Sequence, residues 1–311
     1  MRAFIVPQFG ATGAIGERAK PEPGEGQLLI RVRAAGVNAM DPIIRAGFAK
    51  DFMEHRLPLT LGLDYAGTVE AVGRGVEGFA PGDEVFGAVG KPFFGEGTFA
   101  EYVTATAALA ARRPTNLPAE RAAALPTAGG TALAAVDALA AQPGDTAAVV
   151  GAAGGVGGYA TQLAALRGLR VIAVTRAEHA DYVRSLGAAD VVDYSTGDLT
   201  EQLRAKAPDG LAGIIDVFHD AQGLLALVPA VRPGGRIASP SAQGAEQAFA
   251  GQPATFHAVR AALDRVAELG ELAAAGKLTV DVEVLPLEQA AEAVHRQSTR
   301  GNRGKLVLAI G

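Results

Sequence analysis

Apolar positions change rhythm twice along this chain. Up to about Leu117 they come in short β-branched runs, "GQLLIRVRAAGVN", "YAGTVEAVG" and "GDEVFGAVG", each bounded by Gly, Pro or Asp. Such runs at close spacing predict a compact, mostly antiparallel β unit or barrel. From about Ala122 the period turns helical in "RAAALPTAGGTALAAVDALAA", interrupted by Pro126 and two glycines. Strands and helices then alternate. Thr146–Val150 reads as a strand, Val156–Arg167 as a helix, Arg170–Thr175 as a strand and Ala177–Leu186 as a helix. "ADVVDY" follows, then helical "LTEQLRAKA", the strand "GIIDVF", helical "GLLALVPAV", and "GGRIAS" after an "RPGG" turn. Apolar strands alternating with helices predict a parallel, doubly wound α/β sheet. The tail differs again: "HAVRAALDRVAELGELAAAGKL" predicts one long amphipathic helix ending near Gly276, and the remainder a strand, helix, turn and strand.

The junction of the first strand and helix of that sheet carries the first chemistry. Gly151, Gly154 and Gly157 stand three apart in "VVGAAGGVGGYATQL". A strand ending in glycines that open a helix aims backbone N–H groups outward and admits a pyrophosphate where no Cβ intervenes. The helix N-terminus stabilises that charge by roughly 0.3–1 kcal/mol. The spacing is GxxGxxG, not the usual GxGxxG, and glycine also serves close helix–strand packing, so the strand–turn–helix–strand context carries the dinucleotide reading.

The second strand bears on which dinucleotide. NAD enzymes usually place an acid about 20 residues past the glycines to accept the ribose 2′-OH hydrogen bond. Here the strand ends "VIAVTRAEHA", with Thr175 and Arg176 and no acid at its tip. A carboxylate there repels a 2′-phosphate, whereas a guanidinium binds it bidentately. NADPH is favoured over NADH. The alternative is that Arg176 is a solvated charge and Glu178 takes the ribose.

Composition narrows the classes. A length of 311 residues suggests about two domains, and 49% apolar with 20% charged residues suits a globular protein. The net charge of −5 gives no electrostatic case for nucleic acid or an anionic membrane. No stretch is apolar for long enough to span a bilayer. "MRAFIVPQFG" lacks an extended apolar region and a small-residue cleavage site, which reads as a cytoplasmic protein without a signal. Cysteine is absent, which removes disulfides, thiolate nucleophiles and every zinc site that needs sulfur. The five histidines stand singly, so no metal site is expected.

Several ordered motifs together resemble the medium-chain dehydrogenase/reductase superfamily, in its zinc-independent quinone oxidoreductase branch, which includes zeta-crystallin. They are "AAGVNAMDPIIRAG", "LPLTLGLDYAGTVEAVGRGVEGFAPGDEVFG", "GTFAEYVTA", "TAGGTALAAV", "PGDTAAVVGAAGGVGGYATQLA", "LGAADVVDY", "VRPGGRI", "AAGKL" and "RGKLVL", nearly end to end. The resemblance implies a GroES-like β-barrel catalytic domain from both chain ends, residues 1–121 and 260–311. A Rossmann domain, residues 122–259, is inserted between them. It also implies a homodimer. Zinc alcohol dehydrogenases of this superfamily have Gly-His-Glu where this chain has Gly62-Leu63-Asp64. The Lewis acid that would polarise an alcohol or carbonyl oxygen is therefore missing.

Site residues follow partly from the residues and partly from the resemblance. The turn supplies Gly151, Ala152, Gly154, Gly155 and Val156. By resemblance Thr131 lies near the cofactor phosphates, and Tyr194 joins Thr175 and Arg176 at the adenosine end, with edge-strand packing as the alternative. Ser239 follows the fifth strand, at the carboxyl edge where ligands collect. His257, Asn302, Arg303 and Lys305 are candidates to close over the nicotinamide side, and Lys305 is equally a solvated strand end. In "GVNAMD", Asn38 is a candidate amide donor to an acceptor oxygen or the cofactor. Asp41 is a candidate to fix the loop or contact a ribose hydroxyl, and turn capping is the alternative for both. Some quinone oxidoreductases have Tyr two residues after the motif's Asp, where this chain has Ile43, which leaves Tyr65 as the nearest motif-borne phenol beside a core role. Phe48, Phe52, Phe93 and Phe94 are candidate walls for a flat acceptor.

Without metal, hydride transfer from NADPH to an electron-poor conjugated acceptor is chiefly proximity and orientation. A quinone is the expected acceptor. An enoyl or alkenal double-bond reductase is the enzymatic alternative, and a non-catalytic NADPH-binding structural or RNA-binding protein the alternative of another class.

Overall fold

The ten-residue strand Gln27–Gly36 organises the first unit. Its middle alternates, with Ile30, Val32 and Ala34 buried and Arg31 and Arg33 exposed. One edge pairs antiparallel with Asp64–Val72; the other is shared by Tyr102–Thr106 and, further along, by Lys305–Ala309. The full sheet runs Val282–Pro286, Lys305–Ala309, Gln27–Gly36, Asp64–Val72, Glu84–Ala88, Ala110–Arg112. Both chain ends thus build one β structure. Two ribbons flank it, Arg2–Ile5 with Ala14–Glu17 and Glu54–Thr60 with Phe93–Glu96. Phe4, Ile30, Val69, Phe99 and Leu308 share its core.

This is a computed structural model, and it describes residues 1–299 and 301–311. The first unit comprises Met1–Thr127, Leu263–Gly276 and Val280–Gly311; the second comprises Ala128–Ala262 and Lys277–Thr279.

The second unit is a six-stranded parallel sheet in the order Asp190–Asp193, Arg170–Thr175, Thr146–Val150, Leu211–Asp216, Val231–Ser239, Thr255–Ala258. Strand order reverses at Thr146–Val150, which opens a crevice at its carboxyl end beside Leu211–Asp216. Ala147–Val150 and all of Leu211–Asp216 are buried, as covered parallel strands require.

Four elements differ from the sequence pattern. The long amphipathic helix is only Val266–Ala274. Thr255–Ala258, in front of it, is a sixth strand pairing with Arg236–Ser239, because an open sheet edge outweighs local helical period. Pro126 does not break a helix but starts one, Pro126–Leu139, where its missing N–H costs nothing. Residues 177–186 split into a 3₁₀ turn, Ala177–His179, and the helix Ala180–Ser185. Among the described residues no helix is long and apolar enough to cross a membrane.

Candidate functional site

The glycine turn separates glycines the fold needs from one it does not. Gly151 has φ +80°, and its N–H and that of Ala152 both donate to the Val174 carbonyl of the neighbouring strand, at 3.1 and 3.2 Å. A Cβ on Gly157 would sit 2.1 Å from the Gly151 carbonyl oxygen, so glycine there lets the helix Gly155–Leu166 close onto the turn. Gly154 is different. Its φ of −79° suits any residue, and a Cβ there meets nothing nearer than 3.4 Å. It occupies the N-cap position with no side-chain cap, leaving the N–H groups of Gly155 and Val156 for an external acceptor. A diphosphate fits this cradle, which a Cβ on Gly154 would fill.

At the sheet edge Thr175 aligns with Asp193, so the next residues, Arg176 and Tyr194, leave their strands side by side. The Arg176 Nε donates to the Tyr194 hydroxyl at 3.0 Å, and both side chains are exposed. That hydroxyl, then Glu178 4.0 Å away, raises the guanidinium pKa above its ordinary value. The Asp193 carboxylate turns back to the chain, accepting the Ala177 N–H at 2.9 Å and the Ser195 N–H and hydroxyl at 2.8 and 2.6 Å. The Ser195 hydroxyl and these amides hold it below the usual carboxylate range.

The remaining nucleotide candidates are scattered. Thr131 is buried in the helix Pro126–Leu139. Ser239 is buried at the end of its strand, where Oγ accepts the Ser241 N–H at 3.1 Å. His257 lies on the edge strand, with Thr255 Oγ1 at 3.5 Å; burial, then Arg236, lowers its pKa. Asn302 Nδ2 donates to the Arg296 carbonyl at 2.9 Å, and Arg303 pairs with Asp281 at 3.3 Å.

The first unit brings together a polar cluster that sequence reasoning saw only in pieces. The Lys305 ammonium donates to the Val37 carbonyl and to Asn38 Oδ1, each at 2.6 Å. Asn38 Nδ2 donates to Asp64 Oδ2 at 2.9 Å. Asp64 accepts the Thr127 N–H at 3.1–3.2 Å and its hydroxyl at 2.5 Å, capping the helix Pro126–Leu139 from a distant strand. Asp41 accepts the Asn38 N–H at 2.7 Å and the Gly62 N–H at 3.0 Å. Asn38, Asp41, Asp64 and Lys305 are all buried. Burial pushes Asp41 up to about 7 despite those two amides, raises Asp64, and lowers Lys305.

Two sequence readings need correcting. Lys305 is not a solvated strand end: it is 4% exposed, because its ammonium is the counter-ion of a buried acidic cluster. Tyr65 is wholly buried among core apolar side chains, its hydroxyl has no hydrogen-bond partner among the described residues, and burial raises its pKa, all of which favours the core role. Asp64 and Thr127 were missed as functional candidates. The available signal was a lone charge inside an apolar strand, Asp64 in "LGLDYAG" and Lys305 in "GKLVLAI".

Comparison with known proteins places this geometry. Residues 24–115 match the alcohol dehydrogenase GroES-like domain and residues 186–308 the zinc-binding dehydrogenase family. The chain is 37% identical over 233 residues to a chloroplast envelope quinone oxidoreductase homolog of Arabidopsis thaliana, covering 72% of this chain and 69% of that one. The chain belongs to the medium-chain dehydrogenase/reductase superfamily. Within it, relatives named quinone oxidoreductases are among the matches. A chloroplastic quinone oxidoreductase of Triphysaria versicolor is 36% identical over 220 residues, covering 68% of this chain but 65% of that one. The solved quinone oxidoreductase of Coxiella burnetii superposes over 100% of this chain and 99% of its own, with TM-score 0.89 and 28% identity. A solved NAD-dependent alcohol dehydrogenase does so over 100% of both, with TM-score 0.88 and 33% identity. These matches establish the superfamily's GroES-like and Rossmann domains in this chain. Zinc does not fit it: there is no cysteine, Leu63 stands at the ligand position, and among the described residues no three His, Cys, Asp or Glu side chains could hold a metal ion.

Proposed function

We propose that this protein is an NADPH-dependent reductase that delivers hydride to a quinone without a metal ion. The proposal rests on Asp64: its carboxylate is committed to Thr127 and Asn38 beside the apolar Leu63, so no Lewis-acid donor set exists where zinc relatives have one. Nicotinamide, when bound, supplies the hydride. The Gly154 cradle and the N–H groups of Gly155 and Val156 hold the diphosphate, and Gly151 and Ala152 set the turn that presents them. Arg176, oriented by Tyr194, binds the 2′-phosphate. A quinone suits a metal-free site because the transferred charge spreads over a conjugated system already activated toward reduction. Asn38 and Asp41 serve by fixing the loop behind the strand Gln27–Gly36, since their polar atoms bond to the chain. The functional unit is a homodimer, as the superfamily suggests.

NADPH consumption with benzoquinones and with 2-alkenals tests the function. Benzoquinones are expected to be preferred. A tenfold preference for the alkenal, about 1.4 kcal/mol in barrier, would replace quinone by a double-bond substrate. Tight NADPH binding without turnover on any acceptor would favour a non-catalytic nucleotide-binding protein.

A further inference from the structure

A cavity of about 290 Å³ opens in the first unit and shares no lining residue with the Asn38 cluster. Arg18 and Lys20 reach it from one segment and Lys91 from another, and Glu96 is the one carboxylate among its lining residues. Lys91 pairs with Glu96 at 2.6 Å, and its side chain is 4% exposed. Among the described residues Arg18 donates through Nη1 only to neutral oxygens, Thr60 Oγ1 and the Gly95 carbonyl, both at 2.9 Å. Lys20 sits 4.0 Å over the Tyr102 ring and shares Glu70 with Arg31, at 2.7 and 2.8 Å. Burial first, then the charges of Arg56 and Arg18, depress the Lys91 ammonium against the pull of Glu96.

Cations gathered in a concave, partly desolvated site repel one another and focus a positive potential, here in a chain whose net charge is −5. An anion relieves that repulsion, and a guanidinium bonded only to neutral oxygens is suited to a planar or tetrahedral oxyanion. Tyr102 and Val103 give the same cavity an apolar wall. Its volume is at the small end of ligand pockets, too small for a dinucleotide.

We propose that this cavity binds a small organic oxyanion, a carboxylate or phosphate monoester with a compact flat body, through Arg18 and Lys91. The site is independent of the nucleotide turn, and the test keeps them apart. Isothermal titration calorimetry on the full chain, at saturating NADPH, would use benzoate, phenyl phosphate and neutral benzyl alcohol as probes. At least one anion should bind with one-to-one stoichiometry while the alcohol does not; which anion binds more tightly assigns the headgroup. Arg18→Gln or Lys91→Met should weaken binding at least tenfold, and Arg176→Ala should leave it unchanged. Lys20→Met, at an exposed position, replaces either variant that fails to fold, and should weaken binding severalfold. No binding of either anion tighter than about 10 mM, equal binding by the Arg18 and Lys91 variants, or displacement of the anion by NADPH would each overturn the assignment.

Discussion

Lys305 Nζ lies 2.6 Å from Asn38 Oδ1, tying a strand from the end of the chain to the loop that follows the strand Gln27–Gly36. The contact orients the Asn38 amide: with Oδ1 facing the ammonium, Nδ2 must face Asp64. One ammonium thereby orders an amide and compensates two buried carboxylates.

Lys305→Met should be among the most damaging single substitutions in the first unit. It deletes the buried ammonium that donates to the Val37 carbonyl and Asn38 Oδ1, and losing hydrogen bonds from a charged donor costs about 1.5–3 kcal/mol each. Urea unfolding followed by circular dichroism measures it. A midpoint equal to wild type would show that the cluster does not hold charge in the folded state.

Asp41 makes stability pH-dependent in an unusual sense for a carboxylate. Its pKa of about 7 lies above the ordinary 3.8, so between those values the folded chain keeps a proton that the unfolded chain releases. Stability from this group is therefore complete below about pH 4 and is lost as pH rises through about 7, by up to about 4 kcal/mol. Asp41→Asn, neutral throughout, should not lose stability over that window. The difference in urea midpoint between wild type and variant, followed from about pH 5 to about pH 8, should move toward the variant. A pH-invariant difference contradicts the raised pKa.

Gly154 and Gly157 should respond oppositely to alanine. At Gly157 the new Cβ would collide with the Gly151 carbonyl, and a loss of about 2 kcal/mol or more is expected whether or not nucleotide is present. At Gly154 the fold should lose under about 1 kcal/mol, while NADPH affinity falls at least tenfold. Thermal melts and fluorescence titration separate the two effects. If Gly154→Ala binds NADPH as wild type does, the diphosphate is not on this turn.

Arg176→Ala should weaken NADPH by roughly 10- to 100-fold, the usual range for losing a charged hydrogen-bond donor, and leave NADH within about twofold. Tyr194→Phe removes the hydroxyl that orients the guanidinium, with a smaller NADPH loss expected in the same direction. Equal losses for both nucleotides would return the ribose to Glu178.

Tyr65→Phe should be harmless or mildly stabilising, because it deletes a buried hydroxyl that has no partner among the described residues. Turnover within about twofold of wild type is expected. A large drop in kcat with intact folding would restore a catalytic role to the phenol.

Periodicity alone revealed the architecture where burial is two-sided. The parallel strands of the second unit are short continuous apolar runs because both faces are covered, and Gly151 and Gly157 mark a turn that few other residues can make. Arg176 was legible as the residue at the tip of the second strand, Tyr194 only by resemblance; the parallel register of Thr175 with Asp193 is what carries both to one edge. The sixth strand was not legible, since Thr255–Ala258 gains its state from an open sheet edge and not from its own pattern.

Residue types by themselves determined that no cysteine is available as a ligand, that a glycine-rich stretch joins a strand to a helix, and that an acid is absent from the tip of the second strand. Only the tertiary structure decided that Lys305 is buried, that Asp64 caps a helix beginning more than sixty residues later, that Tyr65 belongs to the core, and that Arg18 and Lys91 share a cavity. The reason is physical. Local pattern encodes the conformation of a segment and the face it buries, whereas the charge state and partners of a polar side chain depend on what distant segments bring against it.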